Sequence, residues 1–202
     1  MYRLKEDHVV EIEIKKSRFL CYLHRCHNEE DAKSFVLALK KEHPNANHHC
    51  YAFVMGEHNE IQRSNDDGEP SGTAGSVMLE GLTKRGMQDI IAVTVRYFGG
   101  IKLGAGGLVR AYSKSVSTAL DSAILTRKQN VLQYQVSYSY DLIGKMDYYF
   151  REHDIVIVQK EYGEMVDVIY QCLTPIDEAL SEISNGAYLP KFIEEVIVDM
   201  EL

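Results

Sequence analysis

The sequence predicts an α+β fold in two domains, from three observations: alternating apolar and polar runs, apolar residues recurring at helical spacing between them, and a sharp change in charge near residue 128. The chain has 202 residues, 45% of them hydrophobic and 26% charged. That is enough for two modest cores of a soluble globular kind. Domain one is expected to span 1–127 and domain two 128–202. No apolar run approaches the roughly 20 residues that cross a bilayer. The opening Met1-Tyr2-Arg3-Leu4-Lys5-Glu6-Asp7-His8 has acidic residues where a secretory signal needs apolar ones, so the expected location is cytoplasmic.

Val9-Val10-Glu11-Ile12-Glu13-Ile14 alternates as a half-buried strand does, and a second strand is expected through Ser17 to Cys26. Asn28 before Glu29, Glu30 and Asp31 gives an N-cap and a negative first turn. The helix it opens carries Ala32, Phe35, Val36 and Leu39 and stops before Pro44. Strands are expected at His49–Met55 and Asp89–Tyr97, with a helix between them bearing Ala74, Val77, Met78, Gly81 and Leu82. After a glycine-rich turn at 99–107, a longer helix carries Leu108, Tyr112, Ser115, Val116, Ala119, Leu120 and Ala123.

From Asn130 the expected order is strand, helix, strand, strand, helix, strand, a ferredoxin-like βαββαβ arrangement. In the first of these strands Leu132, Tyr134, Val136, Tyr138 and Tyr140 share one face, and Gln133, Gln135, Ser137 and Ser139 the other. The polar face is expected to be solvated. An RNA-stacking sheet would place aromatics there, so this domain reads as a protein-contacting one.

The net charge of −8 excludes general affinity for polyanions. It is unevenly spread. Residues 1–128 hold 18 Lys and Arg against 16 Asp and Glu, whereas 129–202 hold 4 against 14. An RNA partner would therefore meet the first domain. Four cysteines without a CxxC pair read as free thiols. Cys21, His24, Cys26 and His27 have the residue types for a metal, but strand alternation sends neighbours to opposite faces.

Two segments exceed what packing asks. In the first, Asn65, Asp66, Asp67, Gly68, Glu69, Ser71 and Thr73 combine turn formers, carboxylates and a helix start. Asp66 and Asp67 are expected to accept backbone hydrogen bonds, with Ser71 or Thr73 capping the helix. Asp66, Asp67 and Glu69 also have the oxygen ligands of a magnesium site, the alternative being packing alone. In the second, Gly99, Gly100, Gly104, Gly106 and Gly107 open a helix, with Arg96, Lys102 and Arg110 beside them as a shared positive patch. Exposed backbone N–H groups at a helix start suit a phosphate or RNA backbone, and close packing is the alternative. The spacing matches neither dinucleotide nor P-loop fingerprints. His48-His49-Cys50 invites a thiol-nucleophile reading, yet only His48 shares the face of Cys50.

Asn65 to Gly75 (NDDGEPSGTAG) and Arg96 to Tyr112 (RYFGGIKLGAGGLVRAY) resemble the signatures of the YigZ/IMPACT family, as do Ser17-Arg18-Phe19 and His48-His49-Cys50-Tyr51-Ala52. The chain departs from that pattern at Ser76-Val77, where a basic residue and proline are expected. The resemblance implies a first domain like ribosomal protein S5 domain 2 and a ferredoxin-like second. It implies a translation-associated protein binding RNA, the ribosome or a translation factor, and it brings no established catalytic residues; no cofactor and no metal are expected. The competing classes are an enzyme acting on a phosphorylated small molecule with magnesium, and a metal-dependent hydrolase using His48, His49, Asp66 and Asp67.

Overall fold

The computed structural model describes residues 1–201 and divides into two compact units. Met1–Arg127 and the residues from Met200 onward form the first, and Lys128–Asp199 the second. Five α-helices and two sheets make a mixed α/β structure among these residues.

In the first unit β1 is Tyr2–Leu4, β2 His8–Ile14 and β3 Ser17–Arg25, followed by α1, Glu29–Glu42. Next come β4 at His48–Met55, β5 at Ile61–Asn65, α2 at Gly75–Lys84, β6 at Ile90–Tyr97 and α3 at Ala105–Ser122. Asn28 caps α1, its side chain accepting from Asp31 N at 2.8 Å. The sheet runs β2-β3-β6-β4-β5 with every neighbouring pair antiparallel. Strand alternation divides its apolar residues between two cores. Phe19, Cys21, Leu23, Cys50, Ala52 and Ala92 pack with Met78, Leu82, Tyr112 and Val116 of α2 and α3. Leu20, Phe53, Ile91, Val93 and Val95 pack with Ala32, Val36 and Leu39 of α1. Cys21 and Cys26 fall in different cores, so the metal set with His24 and His27 does not converge.

Two strands escape the sequence reading. The residues Ile61-Gln62-Arg63-Ser64-Asn65 of β5 have no apolar alternation, because β5 is an exposed edge. The short β1 pairs with Leu125–Arg127, the start of β7 (Leu125–Tyr138). That strand thus begins five residues before the expected Asn130.

In the second unit β7 leads to a 3₁₀ turn at Tyr140–Leu142 and α4, Ile143–Glu152. There follow β8 at Val156–Tyr162, β9 at Val166–Cys172, α5 at Asp177–Ile183 and β10 at Lys191–Glu201. The strands are ordered β10-β7-β9-β8. Tyr134, Val136, Tyr138, Val166, Val168 and Tyr170 bury one face with Met146, Phe150 and Leu180 of the helices. On the opposite face the Gln171 amide donates to Gln133 at 2.8 Å, and Ser137 donates to Asp167. No helix of the described residues is long and apolar enough to cross a membrane.

Candidate functional site

Glu69 organises the region where the two motif segments meet. Its carboxylate accepts from the Arg96 guanidinium at 2.6 Å and from the Tyr112 hydroxyl at 2.7 Å. The Cys50 thiol, with one proton to donate, lies 2.9 Å from the Asp66 carbonyl and 3.3 Å from the Tyr112 hydroxyl. Arg96 lies between two aromatic rings, 5.4 Å from the centroid of Phe19 and 5.6 Å from that of Phe98. Within this network the Arg96 Nη1 and the Tyr112 hydroxyl share one acceptor, Glu69 Oε1, while the buried Arg96 Nε has no hydrogen-bond partner among the described residues.

Burial pushes the Cys50 thiol up to about 12, and it also raises the Tyr112 phenol. Thiolate is the reactive form of cysteine, so Cys50 is poorly suited to act as a nucleophile. His48 does not serve it as a base. Its Nδ1 lies 2.9 Å from the Asp67 carbonyl, which can only accept, so that nitrogen carries the proton. Its Nε2 lies 3.8 Å from Glu69 Oε2.

Asp66 and Asp67 bind the turn itself. Burial disfavours ionisation of Asp66, but backbone N–H groups of Gly72, Gly75 and Ala74 outweigh it and hold the carboxyl below its usual range. The three bonds are 2.8–3.0 Å long. Asp67 is also lowered. Burial is opposed there by Lys40 and the His49 N–H, each at 2.7 Å. Asn65 Oδ1 accepts from Asp67 N at 2.7 Å, closing an Asx turn.

The expected cap of α2 needs correction. Ser71 is exposed and Thr73 donates its hydroxyl to the Pro70 carbonyl. Asp66 caps the helix instead, reaching Ala74 N and Gly75 N from eight and nine residues upstream. With all three carboxylates committed to protein donors, the magnesium reading loses its ligands. No group of three metal-ligating side chains is poised around a vacant point among the described residues.

The glycines divide into two kinds. A Cβ on Gly99 would run into the Lys16 carbonyl oxygen, so this position is closely packed. Gly100 and Gly104 have φ of 84° and 70° with open space around them. Gly104 precedes α3 without any side-chain cap. Gly106 meets nothing nearer than the Arg110 guanidinium at 4.0 Å, while Gly107 packs on Leu103. Gly68 takes φ 88° in the acidic loop.

Glu69 and Pro70 of the first segment and Arg96, Phe98, Lys102, Leu103, Gly104, Ala105 and Leu108 of the second line one open cavity of about 370 Å³, with Asn47 and His48. The expected positive patch is altered there. Arg96 faces the cavity but is neutralised by Glu69, their side chains only 6% and 3% exposed. Arg110 is exposed and does not line the cavity. Lys102 does, and it has neither ion-pair nor hydrogen-bond partner among the described residues. Asn47 and Phe98 are additions that the glycine and charge pattern does not single out. Phe98 lies within the motif, and its exposure of 45% is the feature that marks it.

These arrangements belong to a known class of domain. The model of the Impact N-terminal domain matches residues 15–120. The chain is a member of the IMPACT family. IMPACT family member YvyE of Bacillus subtilis is 44% identical over 92% of this chain and 87% of its own length. IMPACT family member YigZ of Escherichia coli is 42% identical over 76% of each chain. A crystal structure of a hypothetical protein is similar at a TM-score of 0.60 and 34% identity, covering 96% of this chain and 97% of that one.

Proposed function

We propose that this chain is a translation-associated binding protein that contacts RNA, on the ribosome or beside a translation factor, through the glycine-rich surface of its first unit. The observation that carries the reading is Lys102, an unpartnered cation on a cavity that also holds the start of α3. Phosphate contacts of that kind fix a protein on a nucleic acid without reading sequence. Phe98, 45% exposed, lines the same cavity as this lysine. The link to translation comes from the family resemblance. The reading calls for no cofactor and no metal, and it places the protein in the cytoplasm.

The fold assignment within the proposal is an S5 domain 2-like first unit and a ferredoxin-like second. The order β10-β7-β9-β8 along a βαββαβ chain supports the latter. With 14 Asp and Glu against 4 Lys and Arg after residue 128, the second unit repels polyanions and suits contact with a protein.

Filter binding of the full chain to structured RNA, over a series of salt concentrations, tests the proposal. Retention at low salt that weakens with added salt is expected, and Lys102→Gln should lower the slope of log affinity on log salt by about 1. No retention even at low salt would overturn the reading.

A further inference from the structure

We infer that the cavity beside α3 takes one unpaired nucleotide of an RNA strand, with its base stacked on Phe98 and its phosphate at Lys102. This rests on the RNA-contact reading above and narrows it to single strands.

The ring of Phe98 is exposed, and the backbone that carries it is tied down. It is 45% exposed while lining the cavity, although large aromatics ordinarily bury most of their surface. Its backbone N–H donates to Asn47 Oδ1 at 2.8 Å, and the Arg96 guanidinium lies 5.6 Å from its centroid. Arg96 is itself held by Glu69 and by the second ring, Phe19. An exposed aromatic surface of this kind attracts a base face, and every base has one.

The phosphate of the same nucleotide has its counter-charge four residues along. Lys102 lines the cavity with its ammonium unpaired, and the carboxylate across from it, Glu69, is already neutralised by Arg96. The Asn47 side-chain amide nitrogen has no partner among the described residues, which leaves a donor for a base edge. At about 370 Å³ the space falls at the small end of the range for small-ligand pockets, about 300–1,000 Å³. It suits one nucleotide. A duplex keeps its base faces stacked inside, so it cannot offer one to Phe98.

The test compares binding of the full chain to a labelled short oligoadenylate with binding to the same strand annealed to its complement, at low salt. Tighter binding of the single strand is expected. Phe98→Leu should weaken single-strand binding by about 5- to 150-fold, the factor set by one stacked base, with duplex binding unchanged and Phe98→Tyr restoring affinity. The chain contains no tryptophan. Phe98→Trp therefore supplies a single reporter, whose emission should be quenched by the oligoadenylate and not by the duplex.

Equal affinity for both forms in the parent protein would overturn the inference without any variant being needed. Parental affinity in a folded Phe98→Leu, or unmoved tryptophan emission at saturation, would also overturn it. In those cases RNA contact itself survives. Failure of the parent to bind either RNA removes the broader reading, and this one with it.

Discussion

Glu69 and Arg96 form an ion pair at 2.6 Å in which the two side chains are 3% and 6% exposed. The pair ties the acidic loop before α2 to the end of β6. A carboxylate and a guanidinium so far from water are stable only together. Removing one leaves the other as an uncompensated buried charge, which typically costs about 3–5 kcal/mol. Glu69→Ala and Arg96→Ala should each lose stability on that scale in urea unfolding. The double variant Glu69→Leu/Arg96→Met should be more stable than Glu69→Ala. If Glu69→Ala unfolds at the parental midpoint, the pair has no structural role.

Asp66 accepts three backbone N–H groups and so holds the start of α2. Bonds to a charged acceptor contribute about 1.5–3 kcal/mol each way they have been measured, and Asp66→Ala should lose that amount at neutral pH. The carboxyl is held below its ordinary 3.8 in the fold. Its contribution is therefore complete above the unfolded value and disappears as pH falls through the folded one. The gap between parent and Asp66→Ala, followed by denaturant titration, should narrow from about pH 4 downward. Magnesium should leave the melting midpoint of the parent unchanged, since a bound ion would raise it.

Gly99 and Gly106 separate packing from access. Gly99→Ala drives a methyl group into the Lys16 carbonyl and should cost about 3 kcal/mol, the upper end for overpacking. Gly106 is in the first turn of α3 with room around it, so Gly106→Ala should stabilise the protein by about 0.5–1 kcal/mol. If RNA approaches the backbone there, the same stabilised variant should bind it more weakly. Thermal melts and filter binding on both variants read the two effects separately.

All four cysteines are free and buried. Burial holds Cys21, Cys26 and Cys50 up at about 12. A thiol-reactive disulfide reagent at pH 8 should modify almost nothing in the native protein and four thiols in denaturant. Rapid native reaction at Cys50 would return the nucleophile reading to consideration.

Local pattern carried most of the elements, because burial on one face leaves a period of two in strands and 3.6 in helices. Asn28 at the head of α1 and the run from Ile90 to Tyr97 are legible for that reason. The edge strand β5 has no such signature, since an exposed edge buries neither face fully. The capping of α2 was open to a wrong choice in sequence, where Ser71 and Thr73 stand nearer than Asp66.

The sequence by itself determined the mixed α/β character, the acidic second half and the two motif segments that mark the IMPACT family. Only the tertiary structure decided what those segments do to one another. Arg96 reads as a free cation along the chain, and Glu69 lies 27 residues away from it in sequence. Folding brings the two together in the core and cancels their charges, leaving Lys102 as the unpaired cation of the cavity. Charge is a property of composition. Its availability depends on which groups fold into contact, and no local pattern encodes that.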